Sequence, residues 1–447
     1  MPKKIVIIGA NAAGVDAAVA ARKTDREAEI TLLTKDNVGA YSRCGLPFVL
    51  GGQIPAFENL VVYPRSFYRM MKFDLRLETA ATSIDTKAQT VEVKSKDGKQ
   101  ETLEYDSLIL AMGAHPFRLP IEGIDKEGVM TLHTLSDGEK LVKAMKKAKS
   151  AVVIGSGLVG LEATEAFVEN GIKTTVVEML PSVLPRLLDK DMSREVQKRF
   201  EENGVRFILG KPAEAILGDE HVKAVSVGEE EIPADIVLNA AGVRPNTELA
   251  QKAGITIGET RGIKTNIRMQ TSAENVYAAG DCAETTNMIT HRPALPLLGS
   301  AAVRMGKVAG INAAGGYSIF PGTLFCWVSR IFRLEAGGVG LTEFWAQRFG
   351  IEVAVGKITA KTKAAYYPGG LPIRIKLVVE KETQRVVGAQ IVGGEAVTQR
   401  INALSIAMQN RMTVKELAKA DTCYAPSVCE TWEPFVLAAE MAIRRLS

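Results

Sequence analysis

Short aliphatic runs, each followed by a glycine-rich turn and an alanine-rich segment, predict buried parallel strands that lead into helices. Near the N-terminus, "IVII" (residues 5–8) runs into "GANAAG" and an alanine-rich stretch. From Lys149, "AVVIGSGLVG" runs into "LEATEAFVENG" in the same order. A strand buried on both faces of a sheet is continuously apolar, and small residues let a helix pack against it. The pattern therefore predicts an α/β protein that contains one unit twice.

The two glycine-rich turns correspond position by position. Gly9 and Gly155 are 146 residues apart, and Gly14 and Gly160 are separated by the same interval. The second turn also contains the middle glycine, Gly157. In such a turn the first glycine allows a sharp bend, the second lets backbone approach a pyrophosphate, and the third lets helix and strand meet. The phosphates then lie at the positive end of the helix.

The residue that ends the next strand indicates which dinucleotide each unit prefers. Glu178 follows "TTVV", where a carboxylate binds a ribose 2′-hydroxyl. No arginine follows until Arg186, so a 2′-phosphate would be repelled, and we expect NADH rather than NADPH. The first unit differs, because Asn11 replaces the middle glycine and Thr34 stands where the acid is expected. The Thr34 hydroxyl would hold a ribose less firmly than a carboxylate.

Three later segments repeat a pattern of a buried strand that ends in glycine. "YDSLILAMG" ends in Gly113, "ADIVLNAAG" ends in Gly242, and "NVYAAGD" ends in Gly280 and Asp281. The first two are each followed by a proline. These strands are expected to extend the two dinucleotide units.

The residue pattern of the sequence changes from about Pro321. "IRIKLVVEKETQRVVGAQIVGG" predicts two strands joined by the turn "KETQ", and a helix is predicted from Val397 to about Asn410. No glycine-rich phosphate loop recurs in this region. We expect the region to serve assembly or substrate binding.

Composition narrows the possible functions. The 447 residues allow two or three domains, and 46% apolar with 24% charged residues suits a globular protein with a large core. The net charge of +4 is small, which argues against a nucleic-acid partner. The chain shows no signal peptide or spanning segment, and its five irregularly spaced cysteines form no disulfide framework, so we expect a cytoplasmic protein. No histidine or cysteine group has metal-ligand spacing, and no metal is expected.

These landmarks, in this order, resemble the pyridine nucleotide–disulfide oxidoreductase family almost from end to end. The resemblance implies two Rossmann-like dinucleotide-binding domains, for FAD and for NAD, and a C-terminal α+β domain that pairs two subunits into a homodimer. Residues 1–113 and 246–322 would form a discontinuous FAD domain. Residues 114–245 would form the NAD domain, and residues 323–447 the dimerisation domain.

The resemblance also assigns the cofactor contacts. Asp281 matches the aspartate that hydrogen-bonds the ribityl chain of the flavin, and Glu162 matches a residue that helps order the nicotinamide. The residues expected to bind FAD are Gly9, Asn11, Ala12, Ala13, Gly14, Thr34, Lys35, Arg43, Gly113, Gly280, Asp281, Pro296 and Leu297. The residues expected to bind NADH are Gly155, Gly157, Leu158, Val159, Gly160, Glu162, Glu178 and Gly242.

"SRCGLPF" around Cys44 resembles the single-cysteine branch of the family. This branch comprises coenzyme A-disulfide reductases, NAD-dependent persulfide and polysulfide reductases, and NADH oxidases and peroxidases. The position of a second cysteine, five residues on, is occupied by Val49. Ala12 and Leu158 stand where oxidases and peroxidases usually carry a histidine and a tyrosine, so the sulfur reductases are favoured.

Two tyrosine segments resemble those of the coenzyme A-linked members. They are "AAYYPGG" (residues 364–370) and "CYAPSV" (residues 423–428), and in that branch the tyrosines reach the cysteine of the partner subunit. Ser427 and Val428 depart from the proline and aromatic residue that usually follow "YAP". The resemblance thus implies a catalytic set of Cys44, Tyr366, Tyr367 and Tyr424.

A lone thiol takes its second sulfur from the substrate or becomes a sulfenic acid. We expect the Cys44 thiolate to attack a disulfide, persulfide or polysulfide, and electrons from NADH to reach the sulfur through FAD. Arg43 and a helix start at "GLPF" would favour the thiolate.

Coenzyme A carries phosphates that need cationic contacts. The candidate substrate-binding cations are Arg22, Lys23, Arg43, Arg69, Lys72 and Arg304.

Several alternatives stay open. Packing is favoured for the other four cysteines, although Cys423 or Cys429 would serve as a resolving thiol in one alternative. A second possible function is an NADH oxidase or peroxidase that cycles Cys44 through sulfenic acid. A third is an electron-delivering or redox-sensing flavoprotein without a small substrate.

Overall fold

The structure is a computed structural model that describes residues 1–446, and the chain divides into two compact units. Unit 1 comprises Met1–Gly45, Pro55–Phe117 and Val243–Thr323. Unit 2 comprises Leu46–Ile54, Arg118–Gly242 and the chain from Leu324 onward.

Strands and helices are numbered separately along the chain. The strands are β1 (Lys4–Ile8), β2 (Glu29–Leu33), β3 (Phe73–Arg76), β4 (Thr79–Asp85), β5 (Thr90–Ser95), β6 (Gln100–Glu104), β7 (Ser107–Leu110), β8 (Ala114–Pro116), β9 (Val129–Met130), β10 (Ser150–Ile154), β11 (Lys173–Glu178), β12 (Arg206–Leu209), β13 (Ala215–Leu217), β14 (Ala224–Val227), β15 (Glu230–Pro233), β16 (Ile236–Asn239), β17 (Val243–Pro245), β18 (Ile263–Lys264), β19 (Val276–Ala278), β20 (Ala283–Thr286), β21 (Pro293–Ala294), β22 (Trp327–Ile331), β23 (Leu334–Gly340), β24 (Val353–Lys361), β25 (Pro372–Glu380) and β26 (Val386–Gly393). The helices are α1 (Ala12–Thr24), α2 (Leu46–Leu50), α3 (Arg65–Met70), α4 (Leu135–Met145), α5 (Leu158–Glu169), α6 (Lys190–Glu202), α7 (Glu248–Lys252), α8 (Gly299–Ala313), α9 (Glu343–Arg348), α10 (Val397–Gln409), α11 (Val414–Leu417) and α12 (Pro434–Ile443). Short 3₁₀ helices cover Arg43–Gly45 and Phe57–Leu60.

Unit 1 is built on a parallel sheet in the order β19-β7-β1-β2-β3. Its central strands are continuously apolar, with Ile5 and Ile7 fully buried. This arrangement confirms the strand, turn and helix predicted for the first repeat. An antiparallel sheet, β4-β5-β6, and two smaller sheets complete the unit.

Helices α1 and α8 pack closely in unit 1 because α8 has glycines one turn apart. A Cβ at Gly306 would overlap the carbonyl oxygen of Ala13, and one at Gly310 would overlap that of Ala17. Only glycine permits this approach of helix backbones. The contact holds α1, and with it the first glycine-rich turn, against the core of the unit.

Unit 2 contains the second repeat and the C-terminal region. A parallel sheet, β12-β11-β10-β16-β9, carries the repeat, and an antiparallel sheet, β22-β23-β26-β25-β24, carries the C-terminal region. The predicted strand pair around "KETQ" is confirmed as β25 and β26, and the predicted helix is confirmed as α10 (Val397–Gln409).

A buried lysine joins these two parts of unit 2. Lys376 on β25 is 1% exposed, and its Nζ lies 2.7 Å from Asp189, 3.0 Å from Asp191 and 2.9 Å from Glu343. Desolvation lowers the pKa of Lys376, but the three carboxylates outweigh it and the net direction is upward. Gln390 on β26 also donates to Asp189 at 2.6 Å. The C-terminal sheet is thereby fixed to the start of α6.

The compact units and the predicted domains divide the chain differently. Residues 118–242 belong to the same unit as the chain from Leu324 onward, and residues 46–54 join them. Strands β8 and β17 lie at the two ends of residues 114–245, the range predicted to form the NAD domain. In the structure they pair with each other inside unit 1. The three-domain boundaries stay a prediction.

Candidate active site

The first glycine-rich turn lies in unit 1, between β1 and α1. Gly9 has φ +115°, and a Cβ there would overlap the carbonyl oxygen of Ala111. A Cβ at Gly14 would overlap the carbonyl oxygen of Gly9. Asn11 caps α1, since its Oδ1 accepts a hydrogen bond from the Ala12 N–H at 2.9 Å. The turn is therefore held tightly at the start of a helix, which fits a bound pyrophosphate.

The end of β2 differs from an acidic ribose site. The Thr34 Oγ1 accepts a hydrogen bond from the Asp36 N–H at 3.2 Å, and the Thr34 backbone bonds to Arg76 and Thr79. Lys35 is exposed beside it. The Thr34 hydroxyl keeps a proton to donate to a ligand.

Cys44 lies in a short segment that unit 1 holds firmly. The Ser42 N–H donates to the Leu60 carbonyl at 2.8 Å, and a bridge joins Tyr41 to Val61. Cys44 is exposed, in the 3₁₀ turn Arg43–Gly45. Helix α2 starts directly afterwards at Leu46, so the predicted helix start at "GLPF" is confirmed. This geometry presents the thiol to solvent from a constrained backbone.

Arg43 brings the cysteine segment next to Asp281, far away in sequence. Burial raises the pKa of the Asp281 carboxyl, and the positive charge of Arg43 opposes that shift. The Arg43 guanidinium also lies 5.8 Å from the centre of the Tyr41 ring. Gly280, with φ +79°, directs the chain into Asp281. Unit 1 thus brings together the predicted nucleophile segment and a predicted flavin ligand.

Other predicted FAD residues occupy turns of unit 1. Gly113 has φ +65°, and a Cβ there would meet nothing within 4 Å. Leu297 has φ +49° and is 38% exposed just before α8, and Pro296 precedes it. The open space and the left-handed backbone at these positions fit an approaching ligand.

The second glycine-rich turn, in unit 2, is tight at its ends and open in its middle. Gly155 has φ +107°, and a Cβ at Gly160 would overlap the Gly155 carbonyl oxygen. A Cβ at Gly157 would meet nothing within 4 Å, and the same holds for Gly242 at φ +103°. At the start of α5, Val159 is exposed beside Gly157. This open middle fits the close approach of a dinucleotide pyrophosphate, and the NADH site here stays a prediction.

Glu178 closes this turn from the neighbouring strand. Its Oε2 accepts from the Ser156 N–H at 2.9 Å and from the Ser156 hydroxyl at 3.0 Å, and its Oε1 accepts from the Leu180 N–H at 2.9 Å. The carboxylate is thus oriented before any ligand arrives. Its remaining acceptor capacity fits a ribose diol.

Two acids on α5 face the start of the C-terminal sheet within unit 2. Glu162 accepts a hydrogen bond from the Ser329 hydroxyl at 2.7 Å, and burial raises its pKa. Glu165 accepts from the Phe332 N–H at 2.8 Å, and burial raises its pKa to about 7. Sequence reasoning missed Ser329 and Glu165, because nothing local signals a contact across 167 residues.

Two of the predicted tyrosines are paired in unit 2. The Tyr366 and Tyr424 hydroxyls are 2.6 Å apart, and these side chains are 75% and 44% exposed. The hydrogen bond with Tyr424 raises the pKa of Tyr366. Tyr367 lies beside them, 40% exposed. The structure therefore joins two loops that are 58 residues apart in sequence.

The predicted substrate cations differ in their availability. The Arg22 guanidinium donates to the carbonyls of Met71, Lys72, Arg26 and Ala28, which favours a structural role. Arg304 Nε donates to the Ser300 carbonyl, and its guanidinium lies 5.7 Å from the centre of the Phe320 ring. Four of the predicted cations are exposed: Lys23, Arg69, Lys72 and Arg304.

Cys282 differs from Cys44 in its environment. Cys282 is fully buried, burial raises its pKa to about 11, and its thiol donates to the carbonyls of Leu110 and Ala279. Within residues 1–446 no His, Cys, Asp and Glu cluster is arranged to hold a metal ion. In the same part of the chain, no helix is both long and apolar enough to cross a bilayer.

Comparison with protein families gives two matches. Residues 3–306 match the family described as pyridine nucleotide-disulphide oxidoreductase. Residues 329–435 match the dimerisation domain of the same family.

Individual relatives match along most of their length. The chain is 44% identical over 447 residues to a protein named NADH oxidase from Methanocaldococcus jannaschii, and the match covers 99% of both chains. It is 37% identical over 442 residues to an NAD(P)H sulfur oxidoreductase (CoA-dependent) from Pyrococcus abyssi, covering 98% of both. A solved NAD-dependent persulfide reductase from A. fulgidus has a TM-score of 0.96 and 37% identity, with coverage of 99% of this chain and 83% of that one.

These findings confirm the predicted fold class, with its dinucleotide-binding region and C-terminal dimerisation domain. They also confirm the predicted cofactors, which the open turns at Gly157 and Gly113 fit. The chain belongs to the pyridine nucleotide–disulphide oxidoreductase family and is an oxidoreductase that uses FAD and NADH.

Proposed function

We propose that this protein uses NADH to reduce a disulfide, persulfide or polysulfide at Cys44. The observation that carries the proposal is the exposed Cys44 beside Arg43, whose charge acts on Asp281 among the predicted flavin ligands. Two of the relatives support it, since their names include sulfur oxidoreductase and persulfide reductase.

The reaction proceeds by thiolate exchange. The Cys44 thiolate attacks one sulfur of the substrate, a Cys44–sulfur bond forms, the substrate S–S bond breaks, and a thiolate leaves. Two electrons and one proton then release the second product thiol, or hydrosulfide from a persulfide, and regenerate the Cys44 thiolate. FAD, when bound, supplies the two-electron carrier between NADH and sulfur. The positive charge of Arg43 favours the attacking thiolate.

In this proposal Tyr366 and Tyr424 assist thiolate departure. Their hydroxyls share one hydrogen bond, so one O–H proton stays available to donate to a developing thiolate. Both residues lie within 329–435, the part that matches the dimerisation domain. We therefore propose a homodimer in which the second subunit contributes this pair to Cys44.

Coenzyme A is the proposed thiol portion of the substrate. The name of the Pyrococcus abyssi relative includes a dependence on coenzyme A. Exposed Arg69, Lys72 and Lys23 offer charges for its phosphates, whereas Arg22 is occupied by backbone carbonyls.

NADH oxidation by oxygen is the second candidate function. The Methanocaldococcus jannaschii relative, at 44% identity, is named NADH oxidase, which favours this candidate. Ala12 and Leu158 oppose it, because neither side chain exchanges a proton with a peroxide. An oxidase would cycle Cys44 through sulfenic acid.

The test compares wild-type protein with Cys44→Ser in anaerobic assays with NADH. We expect disulfide and polysulfide reduction to fall at least about 1,000-fold, because a hydroxyl is a poor nucleophile at neutral pH. Bleaching of the flavin absorbance by NADH should be unchanged. Cys282→Ala is the matched control, since that thiol is buried.

Three results would point elsewhere. Equal sulfur reduction by the two proteins would refute the role of Cys44. Fast oxygen consumption with a sulfenic acid on Cys44 would favour the oxidase. Electron transfer only to a second protein, insensitive to Cys44→Ser, would favour an electron-delivering flavoprotein.

A further inference from the structure

Two cysteines enclose the loop that carries Tyr424. The Sγ of Cys429 donates to the Cys423 carbonyl oxygen at 3.3 Å and accepts from the Ala425 N–H at 3.2 Å. The Ala425 carbonyl accepts from the N–H groups of Val428 and Cys429, which makes one tight turn. This turn brings the Cys429 thiol back to the backbone of Cys423.

The two thiols differ in their access to solvent. Cys423 is exposed, whereas Cys429 is 8% exposed. Access matters because an incoming sulfur species reacts first with an accessible thiol. Cys423 therefore has the properties of an attacking thiol, and Cys429 those of a resolving one.

The Cys429 thiol lies close to the Cys423 backbone. A carbonyl oxygen lies at most about 2.8 Å from its own Cα, so the Cys429 Sγ is within about 6 Å of the Cys423 Cα. Disulfides join Cα atoms about 4.4–6.8 Å apart, so closure requires the Cys423 side chain to turn toward this thiol and the loop to adjust. The residues between α11 and α12 belong to no helix or strand, so closure breaks no sheet hydrogen bond.

We propose that Cys423 and Cys429 form a second redox pair, distinct from Cys44, which low-molecular-weight disulfides or polysulfides oxidise to an intrachain disulfide. The inference goes beyond the proposed function, and rests on it only for the class of oxidant. The Cys423 thiolate attacks the oxidant, forms a mixed disulfide and releases one thiol. The Cys429 thiolate then attacks the Cys423 sulfur and releases the second. Two protein thiols lose two electrons and two protons, and one external disulfide becomes two thiols.

Closure of the pair disturbs the tyrosines. Tyr424 follows Cys423 directly, and its hydroxyl lies 2.6 Å from that of Tyr366. Drawing Cys423 inward breaks the Cys429 hydrogen bonds and shifts the Tyr424 backbone. The oxidised loop therefore separates the hydroxyl pair, and an excess of oxidant slows the enzyme.

The chemical test uses the FAD-loaded full chain with Cys44→Ser, which removes the other exposed thiol. The protein is incubated with oxidised glutathione, treated with iodoacetamide and digested with trypsin without reductant. Residues 420–444 form one tryptic peptide that contains both cysteines. We expect this peptide to be lighter by two hydrogens and to carry no alkyl group. Alkylation of both cysteines, a lasting glutathione adduct, or a cross-link between chains would overturn the proposal.

Cys429→Ala in the same background supplies the control for the resolving step. We expect a stable glutathione adduct on Cys423 in this variant, because nothing displaces it. An unmodified Cys423 would contradict its role as the attacking thiol. Retention of FAD shows that the variant is folded. The peptide result does not depend on turnover, so failure of the proposed function leaves it unaffected.

The kinetic test uses protein with native Cys44. After oxidation and desalting, we expect sulfur reductase activity to be at least about tenfold lower, because proton donation by a positioned hydroxyl is lost. Dithiothreitol should restore it, and Cys423→Ala, which forms neither the glutathione adduct nor the disulfide, should not show the oxidant-dependent loss. Equal activity before and after verified disulfide formation would overturn the link to the tyrosines.

Discussion

The two glycine-rich turns close in the same way, but their helices meet different neighbours. In both, the first glycine has a positive φ and the third approaches its carbonyl oxygen. Helix α1 then packs on α8 through backbone-to-backbone contacts at Gly306 and Gly310. Helix α5 instead presents Glu162 and Glu165 to the hairpin of β22 and β23. Steric contacts fix the bend in both turns. The contacts of the following helix differ because each unit packs a different element against it.

The middle of the two turns differs as well. Asn11 caps its helix with its own side chain, whereas Gly157 leaves open space and no side-chain cap. The first turn therefore satisfies one of its amides internally. The second turn depends on a ligand or water for the same purpose.

The largest effect is expected from substitutions at the first glycine of each turn. Gly9→Ala and Gly155→Ala each place a Cβ against a backbone carbonyl at a positive φ, which costs about 3 kcal/mol or more. We expect Gly9→Ala to lose FAD, and Gly155→Ala to keep FAD but lose reduction by NADH. Flavin absorbance after gel filtration and stopped-flow reduction measure these outcomes. Loss of FAD from both proteins would show that the turns are not separate sites.

The next largest effect is expected from Glu165 on α5, because this position is ionisable, whereas the equivalent position of α1 is Val19. Burial raises the pKa of Glu165 to about 7, with Glu169 and Glu162 adding to the shift and Arg330 opposing it. A raised carboxyl pKa gives stability that is full below about pH 4.5 and is lost as pH rises through about 7. We expect the free energy of unfolding to fall by about 2 kcal/mol from pH 5 to pH 8.

Denaturant titrations over this pH range measure the Glu165 effect. Glu165→Gln should remove most of the slope, because the amide does not ionise. Glu139→Gln is the matched control and should keep the slope, because Glu139 is exposed on α4 and is not among the charges that act on Glu165. A wild-type protein equally stable at both pH values would contradict the contribution of this buried acid.

Gly157→Ala examines the open middle of the second turn. The new Cβ meets no atom within 4 Å, so the melting temperature without NADH should fall only slightly, because alanine is a poorer N-cap than glycine. The Cβ occupies space that a pyrophosphate needs, and we expect the KM for NADH to rise about tenfold, equivalent to about 1.4 kcal/mol. A lowered melting temperature with an unchanged KM would show that the space is not a binding space.

Asn11→Ala is expected to have the smallest effect. Loss of the side-chain cap on α1 costs about 1 kcal/mol of stability. Thermal unfolding monitored by flavin release should shift slightly, with the KM for NADH unchanged. Asn11→Gly should behave more like the wild type, because glycine is also a good N-cap.

The sequence was most informative where one residue type is required by local geometry. Gly9, Gly155 and the apolar strands could be predicted, because positive φ and two-sided burial restrict which residues are tolerated. Long-range neighbours could not be predicted from any pattern. The effect of Arg43 on Asp281 and the Tyr366–Tyr424 hydrogen bond depend on how distant segments return to one another.

The resemblance to the family supplied residue roles that the sequence pattern lacked, but it did not supply individual contacts. It assigned Tyr366 and Tyr424 to one task, but not their direct hydrogen bond. It placed Arg22 among the substrate cations, which stays a prediction, but gave no sign that the side chain donates to four backbone carbonyls of its own unit. A motif specifies residue types, but not which hydrogen bonds the fold has already used.

The Lys376 network has a consequence for how unit 2 comes apart. Exposing this ammonium without its carboxylates, or the reverse, costs about 3–5 kcal/mol, so partial opening between β25 and α6 is rarely populated. Amide hydrogens around Asp189 should then exchange with solvent only through global unfolding. The two sheets of unit 2 that share this network should unfold together. A substitution that destabilises one of them should therefore also lower the stability of the other.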